Sequence, residues 1–287
     1  MNVTLPEKEG IKKGQIILYV SIILICIICV IVAFYVQFYA RIDLAGLVGM
    51  GEESHYGNKT EEEQINLETN FAQLFTNSLN NYNGESDNKK KEQDKNLVYT
   101  EYQKKESKLN SYNLEVNIPL INVDNEIVDN YNKEIQETFQ TLSENVLKSE
   151  NQNIIYTVDY VANVQDGILS LMIRSNLKQG ANAQKVIIQT YNYDLRNNKE
   201  ITLTEVLKIE KLDENNVQNI INNKIKTEQD KAEDLKSLGY NIYSRDVDSD
   251  VYKLENSTEF YLTPEALYIV YAYGNATNTS EMDIVVL

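Results

Sequence analysis

Residues 154–177 read IIYTVDYVANVQDGILSLMIRSNL, and this stretch decides the fold. Apolar and polar side chains alternate through residues 154–164 and again through 169–177. The Asp166-Gly167 pair between the two runs is typical of a two-residue turn joining antiparallel strands. A third alternating run covers residues 186–195. The sequence therefore predicts an antiparallel meander of three strands.

A strand and a helix are predicted before this meander. Residues 112–123 alternate as a strand until Pro119 interrupts the ladder, and Asp124 or Asn125 can cap the helix that follows. The apolar residues of that helix recur every three or four positions: Ile127, Tyr131, Ile135, Phe139, Leu142 and Val146. We expect the helix to cover one face of the sheet.

More helices and three short strands are predicted after the meander. Thr202 and Glu205 have the spacing of a capping box, and an amphipathic helix runs through Val217 and Ile225. A further helical piece is expected before Gly239, then an irregular stretch over 240–257 and closing strands near 260–262, 267–273 and 282–287. The predicted fold class is α+β, with antiparallel sheets and packed helices in two ectodomain lobes, residues 96–190 and 191–287.

A membrane anchor is predicted near the amino terminus. Residues 16–36 are twenty-one residues without a charge, enough for a helix to span the roughly 30 Å hydrocarbon core of a bilayer. We assign a transmembrane helix to 16–40 and a cytoplasmic tail to 1–15, because Lys8, Lys12 and Lys13 precede the span. The alternative is a cleaved signal peptide, but small residues are lacking at the cleavage site. We therefore expect a single-pass cell-membrane protein with its carboxyl-terminal domain extracytoplasmic.

A stalk is predicted between the membrane and the domain, over residues 41–95. Glycines follow the span, and residues 83–96 contain no apolar side chain. Between them, Leu67, Phe71, Leu74 and Leu79 lie near one face of a possible helix, with Phe75 beside them. The sequence leaves open whether this helix packs on the membrane surface, on a partner, or on the chain's own domain.

The charge of the chain restricts its partners. Its net charge is −16, and residues 1–15 contribute +1, so the remainder carries −17. Such a surface repels nucleic acid and attracts cationic proteins in a salt-dependent way. We expect no nucleic-acid partner and consider a cationic extracellular protein, with solubility alone as the alternative.

Catalytic motifs are missing from the sequence. His55 is the only histidine and lies in the predicted stalk, so neither a Ser-His-Asp triad nor a histidine-ligated zinc site can form. Cys26 and Cys29 both lie inside the predicted span. We therefore predict no enzyme and no cofactor, although carboxylates are too numerous to exclude a glycosidase by sequence.

Two weaker candidates for binding residues remain. Asp246, Asp248 and Asp250 begin like a calcium loop, but Val251 stands where the EF-hand turn needs Gly, which favours a solvated acidic loop. Tyrosines close to the end of the chain form a candidate ligand-binding patch. Its members are Tyr268, Tyr271 and Tyr273.

Two segments resemble a known family. Residues 191–195 (YNYDL), Lys199 and 201–203 (ITL), with the closing strands from Phe260 to Tyr273, resemble the ectodomain module of the bacterial anti-sigma-V factor family. Residues 112–164 resemble the module that precedes it. The resemblance implies a surface domain of unassigned chemistry, found in a membrane-bound anti-sigma factor that senses lysozyme and beside a peptidoglycan deacetylase. The loop 274–280, a candidate ligand contact, departs from that family's Ala-Pro pair.

Three hypotheses follow for the function. The first is a membrane-anchored extracytoplasmic binding or sensing domain for a cationic protein such as lysozyme. The second is a cell-wall-binding or scaffold module without signalling. The third is an anti-sigma regulator, which would need a cytoplasmic partner for residues 1–15. The sequence does not identify the ligand or the oligomeric state.

Overall fold

The structure is a computed structural model that describes residues 56–57, 59–75, 89–150 and 153–287. Ser54–Leu287 forms one compact unit. The predicted tail (1–15) and membrane span (16–40) lie outside the described residues, as do His55 and Leu79. In the described part of the chain, no helix is both long and apolar enough to cross a bilayer.

The first described helix lies in the predicted stalk, and the segment that contains it packs on the chain's own domain. Helix α1 (Glu61–Thr69) is followed by a 3₁₀ turn (Phe71–Phe75). Phe71 and Phe75 are 4% and 6% exposed and belong to a core cluster of the domain. Of the three packing surfaces that the sequence left open for this segment, the structure shows the chain's own domain. We call residues 59–75 the docked segment.

The larger sheet has six strands in sequential order. Its strands are β1 (Val98–Lys108), β2 (Tyr112–Ile121), β3 (Ile154–Gln165), β4 (Ile168–Gln179), β5 (Lys185–Asp194) and β6 (Lys199–Glu200). The meander β3–β4–β5 is antiparallel, as predicted. Asp166 and Gly167 both have positive φ, 51° and 78°, which the primed hairpin turns require.

One strand pair is parallel, which the sequence did not predict. β2 runs parallel to β3, and helices α2 (Glu126–Ile135) and α3 (Thr141–Leu147) cross between them, joined by a π-helical turn (Gln136–Gln140). A parallel pair needs such a crossover connection. Asn125 caps α2, since its side chain accepts a hydrogen bond from the Ile127 N–H.

Strand β1 is a second feature absent from the predictions. It forms the edge of the sheet and is mostly exposed, and its sequence VYTEYQKKESK is charged. Charged side chains are typical of edge strands because they oppose pairing with other chains. The same charges conceal the apolar alternation on which strand prediction depends.

The smaller sheet is antiparallel and contains the predicted closing strands. It consists of β7 (Phe260–Leu262), β8 (Leu267–Ala272) and β9 (Met282–Val286). Two helices precede it, α4 (Leu203–Ile209) and α5 (Glu214–Ser237). The predicted capping box of Thr202 and Glu205 opens α4. The expected further helical piece is the end of α5, which is one continuous helix.

The elements stack in four layers with three apolar clusters between them. The first cluster lies between α2–α3 and one face of the larger sheet. The second cluster lies between the two sheets and includes Phe71 and Phe75 of the docked segment. The third joins the outer face of the smaller sheet to α4 and α5. The α+β class is thus confirmed, with sheets that are antiparallel except for the pair β2–β3. The predicted lobe boundary between residues 190 and 191 falls inside β5.

Candidate binding site

A cleft of about 790 Å³ opens between the docked segment and the two sheets. Its lining comes from the docked segment, from strand β3, and from strands β7 and β8 with the turn between them. The side chains are mostly polar, with two tyrosines: Lys59, Glu63, Asn66, Asn70, Gln73, Asn163, Thr263, Glu265, Tyr261 and Tyr268. Ligand sites in proteins are usually concave and have volumes in this range.

The wall formed by the docked segment is fixed at both of its ends. Thr60 and Glu63 form a capping box at the start of α1. Ahead of it, Tyr56 is 1% exposed and its hydroxyl donates to the carbonyl oxygen of Thr263 at 2.6 Å. Phe71 packs on the ring of Tyr268, with centroids 5.7 Å apart. The wall is therefore held by the residues that form the opposite side of the cleft.

Two cations reinforce this attachment. The guanidinium carbon of Arg174, on β4, lies 4.2 Å from the centroid of the Phe75 ring, a cation–π contact. Burial lowers the pKa of Arg174, and the charge of Asp159 opposes this shift. Lys224 of α5 pairs with Glu68 of α1 at 2.6 Å. Side chains from β4 and α5 thus reach the same short segment.

The turn between β7 and β8 supplies the opposite rim of the cleft. The side-chain oxygen of Thr263 accepts hydrogen bonds from the N–H groups of Glu265 and Ala266, at 3.2 and 2.9 Å. These bonds shape the turn that carries Pro264 and Glu265. On the β3 side, the amide of Asn163 donates to the carbonyl oxygen of Leu262 at 3.3 Å.

The charge in and around the cleft is mainly negative. Burial lowers the pKa of Lys59, while Glu63 and Glu265 oppose that effect. A hydrogen bond from the Thr60 backbone lowers the pKa of Glu63, so this carboxylate is ionised at neutral pH. Glu61 and Glu62 add two exposed carboxylates in the first turn of α1. The mouth of the cleft therefore favours a cationic group.

The three candidate tyrosines are not brought together. Tyr268 lines the cleft, but Tyr271, on the opposite face of β8, and Tyr273, directly after β8, lie in the apolar cluster against α4 and α5. All three are buried, at 3%, 6% and 6% exposure. The Tyr271 hydroxyl is 2.7 Å from that of Ser257. The sequence suggested a shared patch because it does not show that alternate residues of β8 face different layers.

Tyr273 belongs instead to a buried charged network. Its hydroxyl donates to Asp283, and its ring stacks on Tyr243 with centroids 3.9 Å apart. Arg245 holds Asp283 through two nitrogens and also pairs with Glu281 at 2.9 Å. The Arg245 side chain is 7% exposed and that of Asp283 is 2% exposed. This network anchors the irregular chain after α5 to β9.

The candidate calcium ligands do not converge in the structure. Among the described residues, no three acidic, histidine or cysteine side chains are placed to hold a metal ion. Asp250 pairs with Lys253 at 2.5 Å, and the side chain of Asp246 accepts from the backbone N–H of Asp248 at 3.2 Å. These contacts agree with an acidic surface loop.

The loop after Tyr273 completes the open edge of β5. The N–H of Val186 donates to the carbonyl oxygen of Thr279 at 3.0 Å. The Asn275 side chain accepts from the N–H of Ile188 and donates to its carbonyl oxygen, at 3.1 and 2.8 Å. The loop considered as a ligand contact therefore satisfies backbone groups of the larger sheet.

Sequence reasoning missed the polar residues that join β7 to the larger sheet. Asn192 donates to the carbonyl oxygen of Phe260 at 3.0 Å, and the Ser170 hydroxyl accepts from the N–H of Leu262 at 3.2 Å. Asn163 belongs to the same set. The available signal was the presence of small polar residues at buried positions of apolar strands, where each needs a hydrogen-bond partner.

Comparison with known proteins finds distant structural neighbours. No family model matches the chain, and no curated protein matches it. Its structural neighbours are DUF3298 family proteins. One, from Bacteroides fragilis NCTC 9343, shows 14% identity and a TM-score of 0.36, over 61% of this chain and 81% of that chain. Another, from Pseudomonas aeruginosa PAO1, shows 12% identity and a TM-score of 0.36, over 66% of this chain and 87% of that chain.

The DUF3298 family is a domain family of unknown function. These neighbours therefore assign no ligand and no reaction. The more specific resemblance to the anti-sigma-V factor ectodomain is not confirmed by them and stays a prediction.

Proposed function

We propose that this chain is a single-pass membrane protein whose extracytoplasmic domain binds and senses a cationic protein, such as lysozyme, without chemistry of its own. The observation that carries the proposal is the construction of the cleft. One of its walls is the docked segment, which in sequence leads to the predicted membrane span. A ligand in the cleft would contact the domain and the membrane-proximal chain together.

Ligand binding in this cleft can be coupled to the conformation of the docked segment. A ligand shifts a conformational equilibrium only when it binds the two states unequally. A ligand that contacts both walls binds the docked state better than the detached state. It therefore stabilises the docked segment. Occupancy of the cleft would in this way change the membrane-proximal chain.

The charge of the domain supports a cationic ligand. Residues beyond 15 carry −17, and Glu61, Glu62, Glu63 and Glu265 lie at or beside the cleft. Complementary charge raises association rates and gives binding a marked salt dependence. The lysozyme assignment itself rests on the resemblance to the anti-sigma-V factor family.

Calorimetric titration of the full chain in mild detergent with lysozyme tests this proposal. We expect saturable binding that weakens roughly tenfold between about 50 mM and about 300 mM salt but persists. Replacing Glu63 and Glu265 by Gln should weaken it further than replacing Glu101 and Glu255, two exposed acids away from the cleft lining. Absence of binding at both salt concentrations would contradict the proposal.

A second candidate function is recognition of a cell-wall glycan. The cleft favours it because four side-chain amides, from Asn66, Asn70, Gln73 and Asn163, line it beside Tyr261 and Tyr268. Amides and aromatic rings are the groups that hold sugar hydroxyls and ring faces. Titration with soluble peptidoglycan fragments distinguishes the two ligands, since glycan binding should change little with salt.

A further inference from the structure

Two tyrosines and three glutamates, contributed by separate elements, lie around the second half of β5. Tyr131 and Glu134 come from α2, Tyr191 from β5, Glu200 from β6, and Glu259 from the residue before β7. The rings of Tyr131 and Tyr191 lie 5.0 Å apart and are tilted by 55°. We call these five residues the acidic tyrosine cluster. None of them lines the cleft.

Hydrogen bonds hold two of the carboxylates in place. Glu134 accepts from the side-chain amide of Gln189 at 2.5 Å. Glu259 accepts from the backbone N–H and the hydroxyl of Thr190, at 2.6 and 3.0 Å. The positions of both groups are therefore fixed by neighbours on β5, as a preorganised site requires.

The negative charge of the cluster is not balanced. Within the described part of the chain, Glu134, Glu200 and Glu259 form no ion pair. The lysines beside them in sequence have other partners: Lys133 lies 3.9 Å from Glu137, and Lys199 pairs with Glu205. Glu134 and Glu200, which are exposed, are thus available to an external cation, whereas Glu259 is largely buried.

A buried polar atom adds an independent observation. Tyr191 is 4% exposed, and its hydroxyl has no hydrogen-bond partner among the described residues. Burial raises the pKa of this hydroxyl, and the charges of Glu134 and Glu259 raise it further, so the hydroxyl lies within the field of both carboxylates. An unpaired buried hydroxyl is costly, and its lone pairs can accept from an N–H donor.

We propose that the acidic tyrosine cluster binds a lysine or arginine side chain of a partner protein. An ammonium or guanidinium donates several hydrogen bonds, which suit the carboxylates and the Tyr191 hydroxyl, while the Tyr131 ring offers a cation–π face. A metal ion fits less well, because no three metal-binding side chains converge among the described residues. The inference takes the cationic nature of the partner from the proposed function but assigns it a separate site.

Penta-lysine, titrated calorimetrically into the full chain in mild detergent, tests this site without requiring lysozyme. The test variant is Glu134→Gln with Glu200→Gln, and the control is Glu101→Gln with Glu255→Gln, which removes the same charge elsewhere. We expect binding to weaken about tenfold in the test variant and less than about twofold in the control. Equal weakening in both variants, or no binding to the wild-type chain, would overturn the site.

Lysozyme titrated into the same variants separates this inference from the proposed function. If penta-lysine binds through the cluster and lysozyme does not bind at all, the result supports the cation site and contradicts the proposed lysozyme sensing. If lysozyme binds and the test variant behaves like the control with both probes, the proposed function stands and the cluster is not a cation site.

Discussion

Gly274, in the loop after β8, lies directly against the backbone of the larger sheet. A Cβ atom added there would lie 1.7 Å from the carbonyl oxygen of Val186 and 2.8 Å from that of Thr279. Both contacts are with backbone, which cannot rotate away. We expect Gly274→Ala to lower the free energy of unfolding by about 3 kcal/mol or more.

Urea denaturation measures this effect, and Gly239→Ala is the control. Gly239 has φ +90° but no atom within 4 Å of an added Cβ. Its replacement should cost only the backbone strain, about 1–2 kcal/mol. If Gly274→Ala costs no more than Gly239→Ala, the loop does not approach β5 as described.

Glu259 should make stability depend on pH. Burial, the largest effect, raises the pKa of its carboxyl from an ordinary value near 4.5 to about 7, and hydrogen bonds from Thr190 oppose the shift. The folded state therefore binds more protons than the unfolded state between these two values. The free energy of unfolding should fall as pH rises from about 4.5 to 7, by at most about 3 kcal/mol.

The variant Glu259→Gln isolates this effect because its amide oxygen can still accept from Thr190. We expect it to match the wild-type chain near pH 4.5 and to be about 1–3 kcal/mol more stable near pH 8. Glu255→Gln, at an exposed position, is the control and should show no such difference. A stability difference that is the same at both pH values would show that Glu259 does not titrate as described.

The docked segment is the element on which the site depends. Its attachment combines the burial of Phe71 and Phe75 with the ion pair between Lys224 and Glu68. Lys224 is about one-fifth exposed, and such partly exposed pairs contribute modestly. The two aromatic side chains therefore supply most of the attachment energy.

Phe71→Ala should release the docked segment while the sheets stay folded. Loss of a buried phenylalanine costs about 3–5 kcal/mol, which acts here on a short element that precedes both sheets in sequence. Hydrogen exchange should become fast across Glu61–Phe75 and stay slow in β3 and β4. Ile65→Ala, which changes a side chain that is 57% exposed on α1, should leave exchange unchanged. Slow exchange in the Phe71 variant would contradict this role.

Elements defined by local patterns could be predicted from the sequence. The Asp166-Gly167 turn, the Asn125 cap and the capping box of Thr202 and Glu205 depend on residues only a few positions apart. The parallel pairing of β2 with β3 could not be predicted, because register between distant strands has no local signal. Strand β1 was missed because its edge position favours charged side chains over alternation.

At the scale of the whole molecule, the candidate sites arise from contacts between distant parts of the chain. Tyr268 meets Phe71 across nearly two hundred residues of sequence, and Tyr131 meets Tyr191 across sixty. The sequence identified Tyr268 but grouped it with Tyr271 and Tyr273, which pack in a different apolar cluster. The acidic character of the domain was visible in composition, whereas the position of Glu63 and Glu265 in one cleft required the fold.

The most direct test of the central claim is hydrogen exchange of the full chain, with and without saturating lysozyme. A ligand that binds in the cleft and contacts both walls should slow exchange in Glu61–Phe75 and in the turn between β7 and β8, with β1 unchanged as an internal control. Lysozyme binding that leaves both walls unprotected, or no change anywhere, would contradict a sensing role for the cleft.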